Sequence, residues 1–233
     1  MIEQGRGFTP PKSLVEALAE ELRRRILAGV FMPGERIPEE WVTSELGVSR
    51  PPVREAMRLL QQEGLLTSIP RRGVIVTPLT ADDVREIYAL RHALERLAVE
   101  LALPIQDRDR LAPLWAAVED MERATKANNS SELPILNLRF HQALARLPGN
   151  KRLAHAYDEF AAQLQMCMAI NLRFRERLLG DSKESVERHA NLVRLIEEGD
   201  PSAVIGALDA HGDRSLLDNL EGLLAPVEPR SAR

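Results

Sequence analysis

Glu45-Leu-Gly-Val-Ser-Arg-Pro-Pro-Val-Arg-Glu-Ala-Met-Arg-Leu-Leu-Gln-Gln-Glu-Gly-Leu-Leu66 decides the fold. Gly47 can take the positive φ that a tight turn between two helices demands. Ser49 stands at an N-cap position, with its hydroxyl expected to accept from an orphan helix N–H. Pro51 and Pro52 then fall in the first turn, where a missing N–H breaks no intrahelical bond. Val53, Met57 and Leu60 recur at i, i+4 and i+7 and define a buried face. Arg50, Arg54 and Arg58 recur at i, i+4 and i+8 on another face, and Gly64 ends the helix. A short helix with one apolar and one three-arginine face suits insertion into a DNA major groove. The plainer alternative is an ordinary amphipathic helix with a solvated basic side.

Upstream, Ser13 opens a helical pattern in which Leu14, Ala17, Leu18, Leu22, Ile26 and Leu27 line one stripe that Gly29 stops. Arg23, Arg24 and Arg25 close that helix, either complementing the negative end of its dipole or touching phosphates. Phe31–Arg36 is a turn, and Glu39–Leu46 is a short helix offering Trp41, Val42 and Leu46 for burial. Downstream, Leu65–Ile69 and Val74–Thr77 are β-prone and enclose Pro70-Arg-Arg-Gly73. That is a hairpin with Arg71 and Arg72 at its tip and Gly73 supplying the turn geometry. A helix-turn-helix followed by a basic hairpin makes a winged helix whose tip can reach the minor groove or backbone. A plain structural hairpin is the alternative.

The whole chain has 233 residues, 44% of them hydrophobic and only 4% aromatic, which favours Leu/Ala-packed helices over a β-sandwich. The formal charge of −4 alone argues against a nucleic-acid binder, but its distribution matters more. Residues 1–78 hold 11 Lys+Arg against 10 Asp+Glu, and the rest hold 20 against 25. Basic charge therefore has to concentrate on one face of the first part. The lone Cys167 excludes an intrachain disulfide framework. No apolar run approaches the roughly 20 residues that span a bilayer, and no export signal opens the chain. A cytoplasmic protein is expected.

The fold expected is mainly α: a flexible arm at 1–11, a winged helix-turn-helix at 12–78, an all-α domain at 79–225 and a disordered tail at 226–233. Thr80 reads as an N-cap, with Asp82 and Asp83 in the following first turn. Six helices are expected at about 81–103, 107–127, 131–147, 150–179, 183–198 and 201–223, forming a bundle that can also build a dimer.

Pro33-Gly-Glu-Arg-Ile37, Leu46–Met57, Leu59-Leu60 with Glu63-Gly-Leu65, and Arg72-Gly-Val74 together resemble the GntR family of bacterial transcription regulators. The resemblance covers roughly 12–78 in unbroken order. It implies that Ser49, Arg50 and Arg54 meet the major groove or its phosphates and that Gly73 lies on the wing. Where the family usually has Thr, this chain has Pro51, so any hydroxyl contact there is lost.

In the second part, Asn137 and His141 sit four apart on one helix face, with His189 and His211 on later helices. Three imidazoles from three helices suit a divalent transition metal with open positions, although helical histidines are more often hydrogen-bonded structural residues. Leu90–Glu95, Asn137–Leu144 with Gly149-Asn150, Arg188-His189 and Gly199-Asp200…Ala207…His211 resemble the FadR-type ligand-sensing (FCD) domain, in its six-helix VanR-like branch. Many such domains hold Zn²⁺, Ni²⁺ or a similar ion through an Asp and three His, which map to Asn137, His141, His189 and His211. Asn is a neutral, poorer ligand than carboxylate, so the metal binds more weakly or an anionic effector supplies the missing charge. By the same resemblance Arg91 belongs to the pocket, pairing with an effector carboxylate; an i, i+4 ion pair with Glu95 is the other reading. His92 and His155 match no ligand position. Met166-Cys-Met168 reads as core packing.

These readings lead to a homodimeric DNA-binding regulator that answers to a small carboxylate and reads a double-stranded operator. Two other classes stay in play: a metal-dependent hydrolase built on the histidines, and an architectural DNA-binding protein without a ligand.

Overall fold

The computed structural model describes residues 13–129, 131–179 and 182–210. The expected arm, the tail, His211 and the continuation of the last helix to 223 lie outside the described residues.

The first part consists of α1 (Leu14–Leu27), α2 (Glu39–Leu46), α3 (Arg50–Gln62), β1 (Leu66–Ile69) and β2 (Gly73–Val76). A capping box starts α1, with Ser13 accepting from the Glu16 N–H while the Glu16 carboxylate receives the Ser13 N–H at 2.8 Å. Gly47 caps α2 in the left-handed region at φ 65°, as the turn demands. Leu18, Leu22 and Ile26 of α1 meet Val53, Met57 and Leu60 of α3, all buried. β1 and β2 pair antiparallel, from Leu66 opposite Val76 to Ile69 opposite Gly73. A bridge from Arg36 to Ile75 anchors the preceding loop to this wing.

Thr80 then caps α4 (Ala81–Ala102) with Asp83 completing a second capping box. A 3₁₀ turn at Arg108–Leu111 leads into α5 (Ala112–Lys126), followed by α6 (Leu133–Arg146), α7 (Lys151–Glu159), α8 (Ala161–Leu179), α9 (Ser182–Glu198) and α10 (Pro201–Asp209). The bundle is the expected one with one correction: the stretch 150–179 is two helices. Phe160 breaks it at φ −111° and ψ 5°. Its ring lies 5.2 Å from that of Tyr157, and both side chains are buried. Beyond the break α8 is buried at every position from 164 to 170, as a helix through the centre of a bundle must be.

Two apolar clusters follow. One joins α5, α6, α9 and α10 through Leu114, Phe140, Leu192 and Val204. The other is continuous from Leu22, Met57 and Leu65 of the winged helix to Tyr88 of α4, Tyr157 of α7 and Leu164 of α8. The two parts therefore share a core.

Candidate nucleic-acid interface and buried histidine cluster

On α3, Arg50, Arg54 and Arg58 are 59%, 64% and 61% exposed, so the expected basic face exists. Each arginine nevertheless meets a carboxylate. Arg50 Nη2 donates to Glu40 at 3.1 Å and Arg54 Nε to Glu39 at 2.8 Å, both glutamates lying in the first turn of α2. Arg58 grips Glu55 of its own helix through Nη2 at 2.8 Å and Nε at 3.2 Å. Sequence reasoning missed Glu39 and Glu40, because they lie 15 and 10 positions from Arg54 and Arg50 and on another helix.

Ser49 sits at the N-cap with extended backbone, but its hydroxyl makes no capping bond. The reason is covalent. An N-cap oxygen accepts from the second or third helical N–H, and those positions are Pro51 and Pro52, which have none. The exposed hydroxyl stays available to an outside group.

At the wing tip the Arg72 N–H donates to Ile69 O at 3.1 Å, closing a turn with Pro70 second and Arg71 third. Arg71 itself takes φ 67° there, a residue with a Cβ in the position that type II turns reserve for glycine. Gly73 follows at φ 82°, so the turn rests on Arg71 as well as on the glycine expected. Both arginines are exposed. Of the earlier triplet, Arg23 is held by Glu63, the C-cap of α3, at 2.7 Å, and Arg25 by Glu21 at 2.6 Å with Trp41 beneath it at 5.2 Å. Arg24 pairs with Glu21 at 2.7 Å but remains half exposed.

The second constellation is buried. Arg91, Glu95, His141 and His189 are each at most 2% exposed. A single carboxylate oxygen, Glu95 Oε1, receives Arg91 Nε at 2.9 Å and the Tyr157 hydroxyl at 2.7 Å, and lies 3.0 Å from His141 Nδ1. Burial alone would raise the Glu95 pKa, but the Arg91 charge, His141 and the Tyr157 hydroxyl outweigh it and hold the carboxyl well below the usual range. Arg91 Nη2 stands 3.0 Å from His141 Nε2.

His189 Nδ1 lies 2.6 Å from the Ser185 carbonyl, an anchor that turns Nε2 the other way. Burial, with His141 and Arg91 close by, lowers its pKa well below the ordinary histidine value and keeps the ring neutral. The His141 and His189 rings are 5.4 Å apart, with Phe140 packed edge-on against both. Asn137 Oδ1 is buried without a hydrogen-bond partner among the described residues, as is Glu95 Oε2.

The structure thus brings together Arg91, His141 and His189, and it gives Arg91 the ion pair with Glu95. Tyr157 carried no signal in the sequence, being 62 positions from its partner. Among the described residues no three His, Cys, Asp or Glu side chains are grouped to hold an ion; the fourth expected ligand, His211, lies outside them. His155 is exposed beside Glu159, consistent with a structural surface role. A groove of about 560 Å³ between α5 and α6 contains none of the expected site residues, and its Arg123 and Arg139 are both answered by Asp120. No described helix is long and apolar enough to cross a membrane.

The arrangement matches known proteins over most of the chain. The model for bacterial regulatory proteins of the gntR family matches residues 14–76, and the FCD domain model matches residues 86–214. An uncharacterized HTH-type transcriptional regulator of Bacillus subtilis, YdhC, is 34% identical over 203 residues, covering 77% of this chain and 91% of its own length. The gluconate operon transcriptional repressor of the same species is 26% identical over 88% of this chain and 84% of its own. A crystal structure of a GntR regulator from Rhodococcus sp. RHA1 shares the fold, with a TM-score of 0.69 at 24% identity over 93% of this chain and all of that one. These relatives are transcriptional regulators rather than enzymes, which removes the hydrolase alternative. With a winged helix matched at 14–76 and an FCD domain at 86–214, this chain belongs to the GntR family of DNA-binding transcriptional regulators.

Proposed function

We propose that this regulator acts in the cytoplasm as a FadR-type homodimer whose grip on a pseudo-palindromic operator is set by a small organic acid bound in the α-domain. The observation that carries the reading is the exposed arginine face of α3 with the Arg71-Arg72 wing beside it, joined by one apolar core to a domain that buries an unusual polar cluster. Arg50, Arg54 and Ser49 would meet the major groove or its phosphates, and Arg58, Arg71, Arg72 and Gly73 the flanking backbone and minor groove. Three exposed leucines on one side of α4 (Leu90, Leu97 and Leu101, at 46%, 40% and 52%) support association with a second copy. Two winged helices would then read two half-sites.

A ligand-free architectural role is disfavoured by the buried polar cluster, which leaves Asn137 Oδ1 and Glu95 Oε2 unsatisfied. The donor set fits a divalent transition metal such as Zn²⁺ or Ni²⁺. His189 is neutral with its Nδ1 side anchored, and His141, fixed by Glu95, would take the ion at Nε2 in exchange for the Arg91 guanidinium 3.0 Å away. Asn137 Oδ1, His141 and His189 would hold the ion, with His211 as the fourth ligand; the ion would supply a positive centre for an effector carboxylate. Because Asn137 is neutral, that carboxylate also completes the charge balance. A relative named for the gluconate operon is in keeping with a sugar acid as the ligand.

The test is thermal unfolding of chelator-treated protein with Ni²⁺, gluconate, citrate, and each acid together with Ni²⁺, alongside titration of a fluorescent upstream duplex at about 0.15 M salt. A ligand at 100 times its Kd adds roughly 2.7 kcal/mol of stability. Arg54→Ala should weaken DNA binding and spare the thermal shift, and His189→Ala the reverse. Binding no tighter to the upstream duplex than to random DNA refutes the operator reading. No shift from any acid, with or without Ni²⁺, refutes the effector reading.

A further inference from the structure

We propose that Glu39 is a positioning residue for base recognition: it anchors the Arg54 guanidinium by Nε, so that the two terminal amino groups are presented together to a guanine edge. The inference rests on the reading of α3 as the helix that enters the major groove.

The three arginines of α3 are tethered differently. Arg58 spends its Nε–Nη2 edge on Glu55, and Arg50 spends a terminal nitrogen on Glu40. Arg54 is held through Nε alone, at 2.8 Å, and its terminal nitrogens meet no acceptor among the described residues. Guanine is read by a pair of guanidinium N–H groups aimed at O6 and N7. Arg54 is the arginine whose anchoring leaves such a pair intact while fixing the plane it lies in.

Glu39 is built to hold still. It is the first residue of α2, where the positive end of the helix dipole favours a carboxylate. At 33% side-chain exposure it is more confined than Glu40 at 82% or Glu55 at 46%. An exposed ion pair adds little to folding stability, so the consequence of this one is orientation. The same carboxylate lies beside a face that must approach phosphates, and there it lowers indiscriminate attraction. Glu39 thereby trades affinity for any duplex against discrimination at one base.

The experiment selects a tight duplex from a random-sequence library with the wild-type protein, then replaces its guanines one at a time by 7-deazaguanine, which lacks the N7 acceptor but pairs normally. Wild type should lose about tenfold in affinity at one guanine of each half-site. In Glu39→Ala that penalty should fall below about threefold, while binding to random duplex tightens and its salt dependence steepens. Glu39→Gln, whose amide oxygen still accepts from Arg54 Nε, should keep most of the deazaguanine penalty while sharing the steeper salt dependence. If Glu39→Ala retains the full penalty, or if the Ala and Gln variants behave alike, the positioning role is overturned. Arg54→Ala separates this from the underlying reading: if it binds the selected duplex as tightly as wild type, the assignment of α3 to the groove fails instead.

Discussion

Replacing Glu95 with Ala should be among the most damaging single changes to the α-domain, and the structure says by how much. Arg91 and Glu95 are 2% and 0% exposed, and the carboxylate is the charged partner that the guanidinium meets at 2.9 Å. Breaking a buried ion pair by taking away one member costs about 3–5 kcal/mol. The Tyr157 hydroxyl loses its acceptor as well, which adds roughly 1–3 kcal/mol if nothing replaces it. A loss of about 4 kcal/mol lowers the Tm of a chain this size by roughly 8–16 °C. Thermal and urea unfolding at one fixed protein concentration would read it. Tyr157→Phe removes a donor but leaves the ion pair, so it should lose only about 1–2 kcal/mol. The double change Arg91→Met with Glu95→Leu removes both charges and should recover most of the single-variant loss, because a well-packed apolar pair often matches a buried salt bridge. The reasoning is refuted if Glu95→Ala costs under about 1 kcal/mol. It is equally refuted if the double variant loses as much as the two single changes added together.

Three further outcomes are expected. Ser13→Ala breaks a formed capping box and should cost about 1 kcal/mol, whereas Ser49→Ala should stay within about 0.5 kcal/mol of wild type in urea unfolding, because that hydroxyl makes no capping bond. Arg71→Gly relieves φ 67° at the wing tip and should raise stability by up to about 1 kcal/mol, while the slope of log K against log salt for operator binding becomes shallower by about 1. Gly64→Ala must adopt φ +75° with its Cβ 3.1 Å from Gln163 Nε2, and should destabilise by about 1–2 kcal/mol; adding Gln163→Ala should return only the crowding part of that loss.

The winged helix was legible because its signals are local. The turn glycine, the 3.6-residue period of α3 and the Pro-Arg-Arg-Gly tip each act within a few residues. The failures have equally physical causes. Ser49 looked like a capping residue, yet the donors it needs are removed by the two prolines that marked the helix start; the four residues from Ser49 to Pro52 held both facts. The break at Phe160 has neither glycine nor proline to announce it, and arises because Tyr157 and Phe160 are drawn into the core while α8 turns through the bundle centre. In the buried cluster, Arg91 with Glu95 was visible as an i, i+4 pair and His141 as a helical neighbour of Asn137. What no local pattern contained was their convergence, through Tyr157 and Glu95 Oε1, into one network. On α3 the arginines were plain, but the partners Glu39 and Glu40 come from another helix, so the neutralisation of that face was not.

That neutralisation bears on how such a regulator finds its site. The arginines of α3 arrive with their charge already answered by Glu39, Glu40 and Glu55, so little of it is left to attract DNA from a distance. Binding then depends on exchanging each carboxylate for a phosphate or a base edge, and only a sequence offering good replacements makes the exchange favourable. A small change in how α3 is presented therefore has a large effect on operator affinity. The end of α3 is also tied into the second domain. Glu63, at the end of α3, is gripped by Arg23 of α1, Gly64 lies against Gln163 of α8, and the core runs without interruption from Met57 to Tyr157 and Leu164. A ligand that favours one arrangement of α4, α7 and α8 over another shifts DNA affinity by no more than its own difference in affinity for the two. With the free arginine face so nearly balanced, a coupling of 1–3 kcal/mol, typical of such linkage, is enough to move the operator between bound and free.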